Sequence, residues 1–320
     1  PWKVVDNSCL DHSFDPFIAA SHYSLITTVS ENYARELQET DNDYLTGWLG
    51  HRLKLNGIEI AGVTNGIDPA DFDTTEHEKL GIAGPYDVRN VKDELDGKGA
   101  CKKELLSALS EKPIDPDGDR VGYLTDDLSW PLYTFIGRLS DQKGIDILTE
   151  AIRLFLGEEA EAQIVCLGNG GEREETELAQ VATDKSNIGR VCFLRGFDPG
   201  LANRVYAAGD FFIIPSRYEP CGLTDYIAQL FGNVPIVHHV GGLVKVVDGE
   251  TGFGYEDNSP ENLTQTMQRA LDAYRDKSSI RKMQMAAVER IDRFYNWNKV
   301  MKHYIVLYKK AITELTGRVR

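Results

Sequence analysis

The sequence predicts an α/β fold in which helices cover both faces of a parallel, doubly wound sheet. Short apolar runs at 132–136, 163–167, 191–194, 211–214 and 234–237 alternate with amphipathic stretches. The runs are continuously apolar rather than alternating, as in strands buried on both faces. Between the first two, Ile145, Leu148, Ile152 and Phe155 recur at helical spacing, which predicts a helix over 145–156. Sheets of this kind bind ligands beyond the carboxyl ends of their strands.

Elements outside this block follow in chain order. Residues 24–30 (Ser-Leu-Ile-Thr-Thr-Val-Ser) read as a β-branched strand, followed by a helix over 31–37. A second short strand, 58–63, runs into Thr64-Asn65-Gly66-Ile67-Asp68. Residues 73–130 are charged and punctuated by Gly and Pro, with one amphipathic helix near 102–109, and read as a connector packed on the main block. After Asn258 the pattern is helical: Ser259 is placed to cap a helix with Pro260 in its first turn, and Tyr295-Asn296-Trp297 opens a last helix.

Bulk properties narrow the function classes. The 320-residue chain has 42% hydrophobic and 27% charged residues, ordinary for a globular enzyme. Its formal charge of −15 argues against nucleic acid as a partner, because phosphate-backbone binding needs a basic surface. Any positive charge that meets an anionic ligand must therefore be local. The five cysteines show no CxxC spacing, and Cys166 and Cys192 fall inside apolar strands, where they read as reduced core residues. No apolar run is long enough to span a bilayer and no signal pattern opens the chain, so a membrane partner is not expected and a reducing compartment, cytoplasm or plastid stroma, is.

The segment that carries most chemistry is Pro215-Ser216-Arg217-Tyr218-Glu219-Pro220-Cys221-Gly222-Leu223-Thr224. It follows the 211–214 strand as a tight polar loop and leads into a helix expected to open near Gly222. Unpaired N–H groups at such a place suit a pyrophosphate. With Val234-Pro235-Ile236-Val237 and Gly241-Gly242-Leu243 after it, this segment resembles the donor-site signature of bacterial glycogen synthases and plant starch synthases. Upstream, Gly137-Arg138-Leu139-Ser140-Asp141-Gln142-Lys143-Gly144 is similar to the second donor motif of that family.

The resemblance implies a GT-B architecture of two Rossmann-like domains, of which residues 1–67 would be the incomplete end of the N-terminal, acceptor-side domain. Residues 68–295 would form the nucleotide-sugar-binding domain, and 296–320 a helix crossing back. The family's N-terminal Lys-x-Gly-Gly-Leu motif has no counterpart, so the chain reads as a piece of a longer protein, expected to be inactive in transfer by itself.

The implied reaction is retaining α-1,4-glucosyl transfer from ADP-glucose to the end of an α-glucan, with no metal or other cofactor. Charge grows on the leaving diphosphate, and Arg138 and Lys143 would meet it, one as a fork and one as a point charge. Glu219 would bind donor-sugar hydroxyls and stabilise positive charge at the ring. Gly137, Gly168 and Tyr218 would line the nucleotide sugar. Cys221 and Gly222 would let the backbone approach it, and Leu223 and Thr224 would offer N–H groups to the diphosphate. A nucleophilic role for Cys221 lacks a histidine neighbour in the motif. Phe197 aligns with an aromatic position on which the base stacks, the alternative being an ordinary core phenylalanine. Gly168-Asn169-Gly170-Gly171 is a short turn compatible with the nucleotide side.

Departures from the family pattern are concentrated in His238-His239-Val240-Gly241-Gly242-Leu243-Val244-Lys245. Val240 stands where a threonine is usual and Lys245 where an acidic residue is, which would add positive charge near the donor. Asp225 replaces a common glutamine, while Ile227, at the position where the broader transferase clan often carries a second glutamate, matches the synthase branch of the resemblance. The adjacent histidines point to opposite faces of a strand, an arrangement unsuited to a shared metal. Two other readings stay open: a transferase of the same fold making a different glycan, and a non-catalytic nucleotide- or glucan-binding paralogue.

Overall fold

A computed structural model describes residues 8–10, 13–112, 118–157 and 160–318. Eleven strands occur among them: β1 (Cys9–Leu10), β2 (Ser13–Phe14), β3 (Ile26–Thr28), β4 (Ile60–Gly62), β5 (Arg120–Leu124), β6 (Leu132–Ile136), β7 (Gln163–Gly168), β8 (Arg190–Arg195), β9 (Phe211–Ile214), β10 (Val234–His238) and β11 (Phe253–Tyr255). Strands β5 to β11 form one seven-stranded sheet in the order β11-β10-β9-β6-β7-β8-β5. All its pairings are parallel except β5 with β8.

Each apolar run feeds two cores at once. In β7, Val165 and Leu167 enter one buried cluster and Ile164 and Cys166 the other; Phe212 and Ile214 of β9 oppose Phe211 and Ile213 in the same way. Helices Asp96–Leu109, Pro199–Ala208 and Lys277–Arg290 close the first face, and Ile145–Gly157, Glu172–Thr183 and Pro260–Tyr274 the second. Cys166 and Cys192 are buried free thiols, both pushed up to about 12 by burial. They are the inert core residues that the sequence indicates.

Three elements depart from expectation. The connector is part of the sheet: β5 adds an antiparallel edge, its Gly122 at φ +79° so close to β8 that a Cβ would lie 2.4 Å from the Val191 carbonyl oxygen. The connector's helix begins at Asp96, more than a turn and a half before 102, and buries two lysines. Lys98 Nζ donates to the carbonyls of Ala207 (3.1 Å) and Phe231 (2.9 Å), and Lys102 pairs with Asp210 at 2.7 Å. The N-terminal strand is shorter than 24–30, and β3 with β4 makes a separate two-stranded parallel sheet. The Glu31–Glu39 helix follows, capped by Ser30, whose hydroxyl accepts from Tyr33 N–H at 2.9 Å.

The chain crosses between these regions at two places that touch. Ile67 N–H donates to the Tyr295 carbonyl (2.8 Å) and Trp297 N–H to the Ile67 carbonyl (3.2 Å), just where the Trp297–Arg318 helix starts. Ser259 caps the Pro260–Tyr274 helix through Asn262 N–H at 3.3 Å, as its position before Pro260 suggests.

Candidate functional site

The strand order reverses between β6 and β9: β7 and β8 continue to one side, β10 and β11 to the other. Connections leaving the carboxyl ends of these two strands diverge, which opens the crevice where such sheets bind ligands. The loop after β6 is 137–144 and the loop after β9 is 215–223, so the fold brings together the two motifs singled out in the sequence.

These loops are clasped by specific bonds. Arg217 N–H donates to the Gln142 carbonyl (2.9 Å), and Gln142 Nε2 donates to the Tyr218 carbonyl (3.0 Å). The Arg217 guanidinium forks onto Asp146 at 2.7 and 2.6 Å, and this holds the Asp146 carboxyl below its usual range. Gly144 turns the first loop at φ +67°, and a Cβ there would lie 2.1 Å from the Pro215 carbonyl oxygen. On the other flank, Cβ atoms at Gly168 and Gly170 would meet the carbonyl oxygens of Gly137 (2.0 Å) and Leu139 (1.9 Å), so the glycine-rich turn presses against the Arg138 loop. None of Gln142, Asp146 or Arg217 stands out as a site residue in the sequence; their bonds join the two loops to each other.

Within the clasp Lys143 Nζ donates to Glu219 Oε2, which also accepts from Ser216 Oγ at 3.2 Å. Glu219 is 8% exposed and Ser216 fully buried, so the carboxylate is fixed by two donors at the foot of the loop. Arg138 is exposed at its loop tip and makes no hydrogen bond or ion pair among the described residues. The two expected phosphate cations are therefore differently prepared: one is held by the glutamate, the other is unengaged.

Further along, the helix opens at Thr224 with Leu223 as its cap residue, two positions later than Gly222. Gly222 is left-handed at φ +71° and Leu223 right-handed at φ −107°, ψ −25°. Among the described residues the N–H groups of Gly222, Leu223 and Thr224 have no acceptor. Cys221 is buried, and burial raises its thiol pKa, which disfavours the thiolate a nucleophile would need.

Lys245 is not a free charge beside the donor, which corrects the expectation from sequence. Its ammonium is buried, pairs with Asp225 Oδ1 at 3.0 Å, and donates to the carbonyls of Cys221 and Gly222, the latter at 2.7 Å. The two departures from the family pattern thus neutralise each other. Gly241 and Gly242 pass under the loop, where Cβ atoms would lie 1.9 Å from the Glu219 carbonyl oxygen and 2.1 Å from that of Cys221. Val240 is buried beside them.

His238 uses its ring nitrogens on the Ser216 (2.7 Å) and Glu256 (3.0 Å) carbonyls, and His239 on Glu256 (3.1 Å) and the Val246 carbonyl (3.0 Å). No group of three metal-ligating side chains occurs among the described residues.

Phe197 is 67% exposed on the turn after β8, so it is not a core residue. Gly196 beside it donates its N–H to the Gly168 carbonyl at 2.9 Å, which sets Phe197 next to the glycine-rich turn. The Tyr218 hydroxyl is bonded to that of Tyr33, and the two rings lie edge to face with centroids 5.4 Å apart. Burial, with that bond, raises the Tyr33 pKa. The same helix sends Glu36 Oε1 to Gly241 N–H (2.9 Å) and Asn32 Nδ2 to the Gly241 carbonyl (3.0 Å). Asn32, Tyr33 and Glu36 escape a sequence reading because their helix lies some two hundred residues from the loop; only their shared helical face could have marked them.

A seven-stranded Rossmann-type sheet with a basic, acid-anchored loop pair at its switch point has the architecture of the GT-B glycosyltransferases. Residues 131–273 match the family described as Glycosyl transferases group 1. The chain is 32% identical over 319 residues to the glycogen synthase of Anaeromyxobacter sp. (strain Fw109-5), covering 97% of this chain and 61% of that protein. It is 34% identical over 294 residues to the Myxococcus xanthus glycogen synthase, covering 90% of this chain and 55% of that protein. Among solved structures it resembles the catalytic domain of Arabidopsis thaliana starch synthase IV bound to ADP and acarbose, with TM-score 0.74 and 27% identity over 94% of this chain and 58% of that one. An Anabaena protein, HepE, solved with UDP-glucose, shares the fold at TM-score 0.58 and 16% identity, over 93% of this chain and 65% of that one. The chain is a homologue of the glycogen and starch synthases and carries a group 1 glycosyl transferase domain. It spans little more than half the length of the glycogen synthases that it matches. Among the described residues, no helix is long and apolar enough to cross a membrane.

Proposed function

We propose that this chain carries the donor-binding side of a retaining α-1,4-glucosyltransferase of the glycogen/starch synthase type, taking ADP-glucose as donor and an α-glucan as acceptor. The observation that carries the reading is the juxtaposition of Arg138, Lys143 and Glu219 at the switch point, beside three unbonded loop N–H groups. Expulsion of ADP builds negative charge on the leaving phosphate. Arg138 and Lys143 supply fixed cations against it, and the ammonium of Lys143 keeps donors beyond the one given to Glu219. The N–H groups of Leu223 and Thr224 join them as uncharged donors. Glu219, fixed by Lys143 and Ser216, is held ready for the donor sugar rather than for phosphate, which it would repel.

Phe197 offers an exposed ring on which a base can stack, an interaction worth roughly 1–3 kcal/mol per base in nucleic-acid proteins. No divalent metal is part of the proposal, since the cationic side chains occupy that role. Five free cysteines support a reducing compartment, cytoplasm or plastid stroma. The whole protein would close on its acceptor between two domains, so this chain is proposed to bind donor but not to elongate glucan.

Calorimetric titration of the chain with ADP tests the reading. Binding should be measurable, and Arg138→Ala should weaken it by about 1.5–3 kcal/mol, the range for hydrogen bonds to charged groups. Equal affinity in wild type and Arg138→Ala would remove Arg138 from the site.

A further inference from the structure

The buried Lys245–Asp225 pair lies behind the donor loop and takes no part in the chemistry just described. The Lys245 ammonium collects two successive backbone carbonyls, those of Cys221 and Gly222, while Asp225 supplies its counter-charge and the Tyr226 ring lies 4.3 Å from it. A trans peptide is planar, with its C=O and N–H pointing in opposite directions. Drawing the Cys221 and Gly222 oxygens towards Lys245 therefore turns the N–H groups of Gly222 and Leu223 away from it. The left-handed Gly222 followed by right-handed Leu223 makes consecutive N–H groups converge, the geometry that builds anion-binding concavities. Left to itself, a row of unbonded N–H groups would relax by rotating its peptides; a buried cation gripping the opposite ends prevents that.

We propose that Lys245 is a positioning residue of the donor loop: paired with Asp225, it grips the Cys221 and Gly222 carbonyls and so aims the Gly222 and Leu223 amides at the diphosphate. The inference rests on the donor-site reading above. It also gives a physical reason for the joint presence of a lysine at 245 and an aspartate at 225, since either alone would leave an uncompensated buried charge.

The test is ADP affinity by calorimetry, measured well below each protein's thermal midpoint so that only folded protein is compared. Lys245→Met, which keeps the unbranched apolar stem and loses the ammonium, should weaken ADP binding about tenfold or more. Val246→Ala, a neighbouring core truncation, should lower the thermal midpoint while leaving ADP affinity unchanged. The Lys245→Met/Asp225→Asn double variant should lose less than the sum of the two single losses, because breaking the pair once already frees the loop. Lys245→Met binding ADP as tightly as wild type, or losing affinity only in step with Val246→Ala, overturns the inference while leaving the donor site standing. Absence of ADP binding in the wild type would instead overturn the donor-site reading and this inference with it. Should Lys245→Met fail to fold, Asp225→Asn carries the test: about a threefold loss supports the coupling, and unchanged affinity overturns it.

Discussion

Glu219 and Asp225 are six positions apart, both carboxylates, both close to a lysine, and their surroundings differ. Glu219 takes Lys143 and Ser216 as donors at the foot of the crevice. Asp225 is fully buried, and desolvation pushes its carboxyl up to about 6 in spite of Lys245, which acts to lower it; nearby Glu219 raises it further. Gln229 Nε2 at 3.2 Å is its other side-chain donor. A folded-state pKa above the unfolded value means that the folded protein takes up this proton first. The associated stabilisation is present in full below about pH 4 and lost as pH rises through about 6. Wild type should therefore gain thermal stability relative to Asp225→Asn between pH 7 and pH 4, measured as the difference in midpoint at each pH; a flat difference would show that Asp225 does not titrate in this window. At this scale the sequence displays residues that belong to a contiguous signature, such as Arg138 and Glu219. It hides pairings such as Lys245 with Asp225, because each partner reads as a lone departure until folding sets them 3.0 Å apart.

Continuous apolar runs mark β6 and β9 with their observed limits, and β7, β8 and β10 to within a residue at either end. Residues buried on both faces leave little else for a sequence to be. The edges are less legible: β5 is broken by Gly122 and only partly buried, while β11 is three residues long with a glycine at its centre. Neither shows a period, and both are held by their neighbours in the sheet rather than by their own propensity. The loops between elements are set by close approaches that only glycine allows, and Gly144 is the clearest case. Gly144→Ala would force a Cβ against the Pro215 carbonyl at a positive φ, at a cost of at least about 1–2 kcal/mol from the backbone conformation alone. Because the clash separates the loops after β6 and β9, the variant should lose both thermal stability and ADP affinity; a loss of stability with ADP affinity intact would show that the loops need no close register.

For the molecule as a whole, the chain around Ile67 and the chain around Asn296 meet each other, where Ile67 bonds to Tyr295 and Trp297 and Gly66 packs against the Trp297 ring. An Asn-Gly turn and a Tyr-Asn-Trp segment punctuate the sequence there. It does not indicate that the Glu31–Glu39 helix reaches the donor loop. That contact is made by Glu36 and Asn32 on Gly241 and by Tyr33 on Tyr218, and it ties the N-terminal segment to the backbone directly under Glu219. Among the described residues the segment's own sheet has the two strands β3 and β4, against seven in the main sheet, so it depends on these contacts for its order. Amide hydrogen exchange should accordingly find residues 26–62 less protected than β6 to β10. Glu36→Ala leaves the Gly241 N–H without its acceptor, a loss of about 1–3 kcal/mol for a buried donor. Its effect should appear at both ends of the bond, as faster exchange in the Glu31–Glu39 helix and around Gly241–Lys245, with β7 and β8 unchanged. Faster exchange confined to the helix would mean that the donor loop stands without the N-terminal segment, and uniform acceleration across the sheet would mean that the two parts unfold as one.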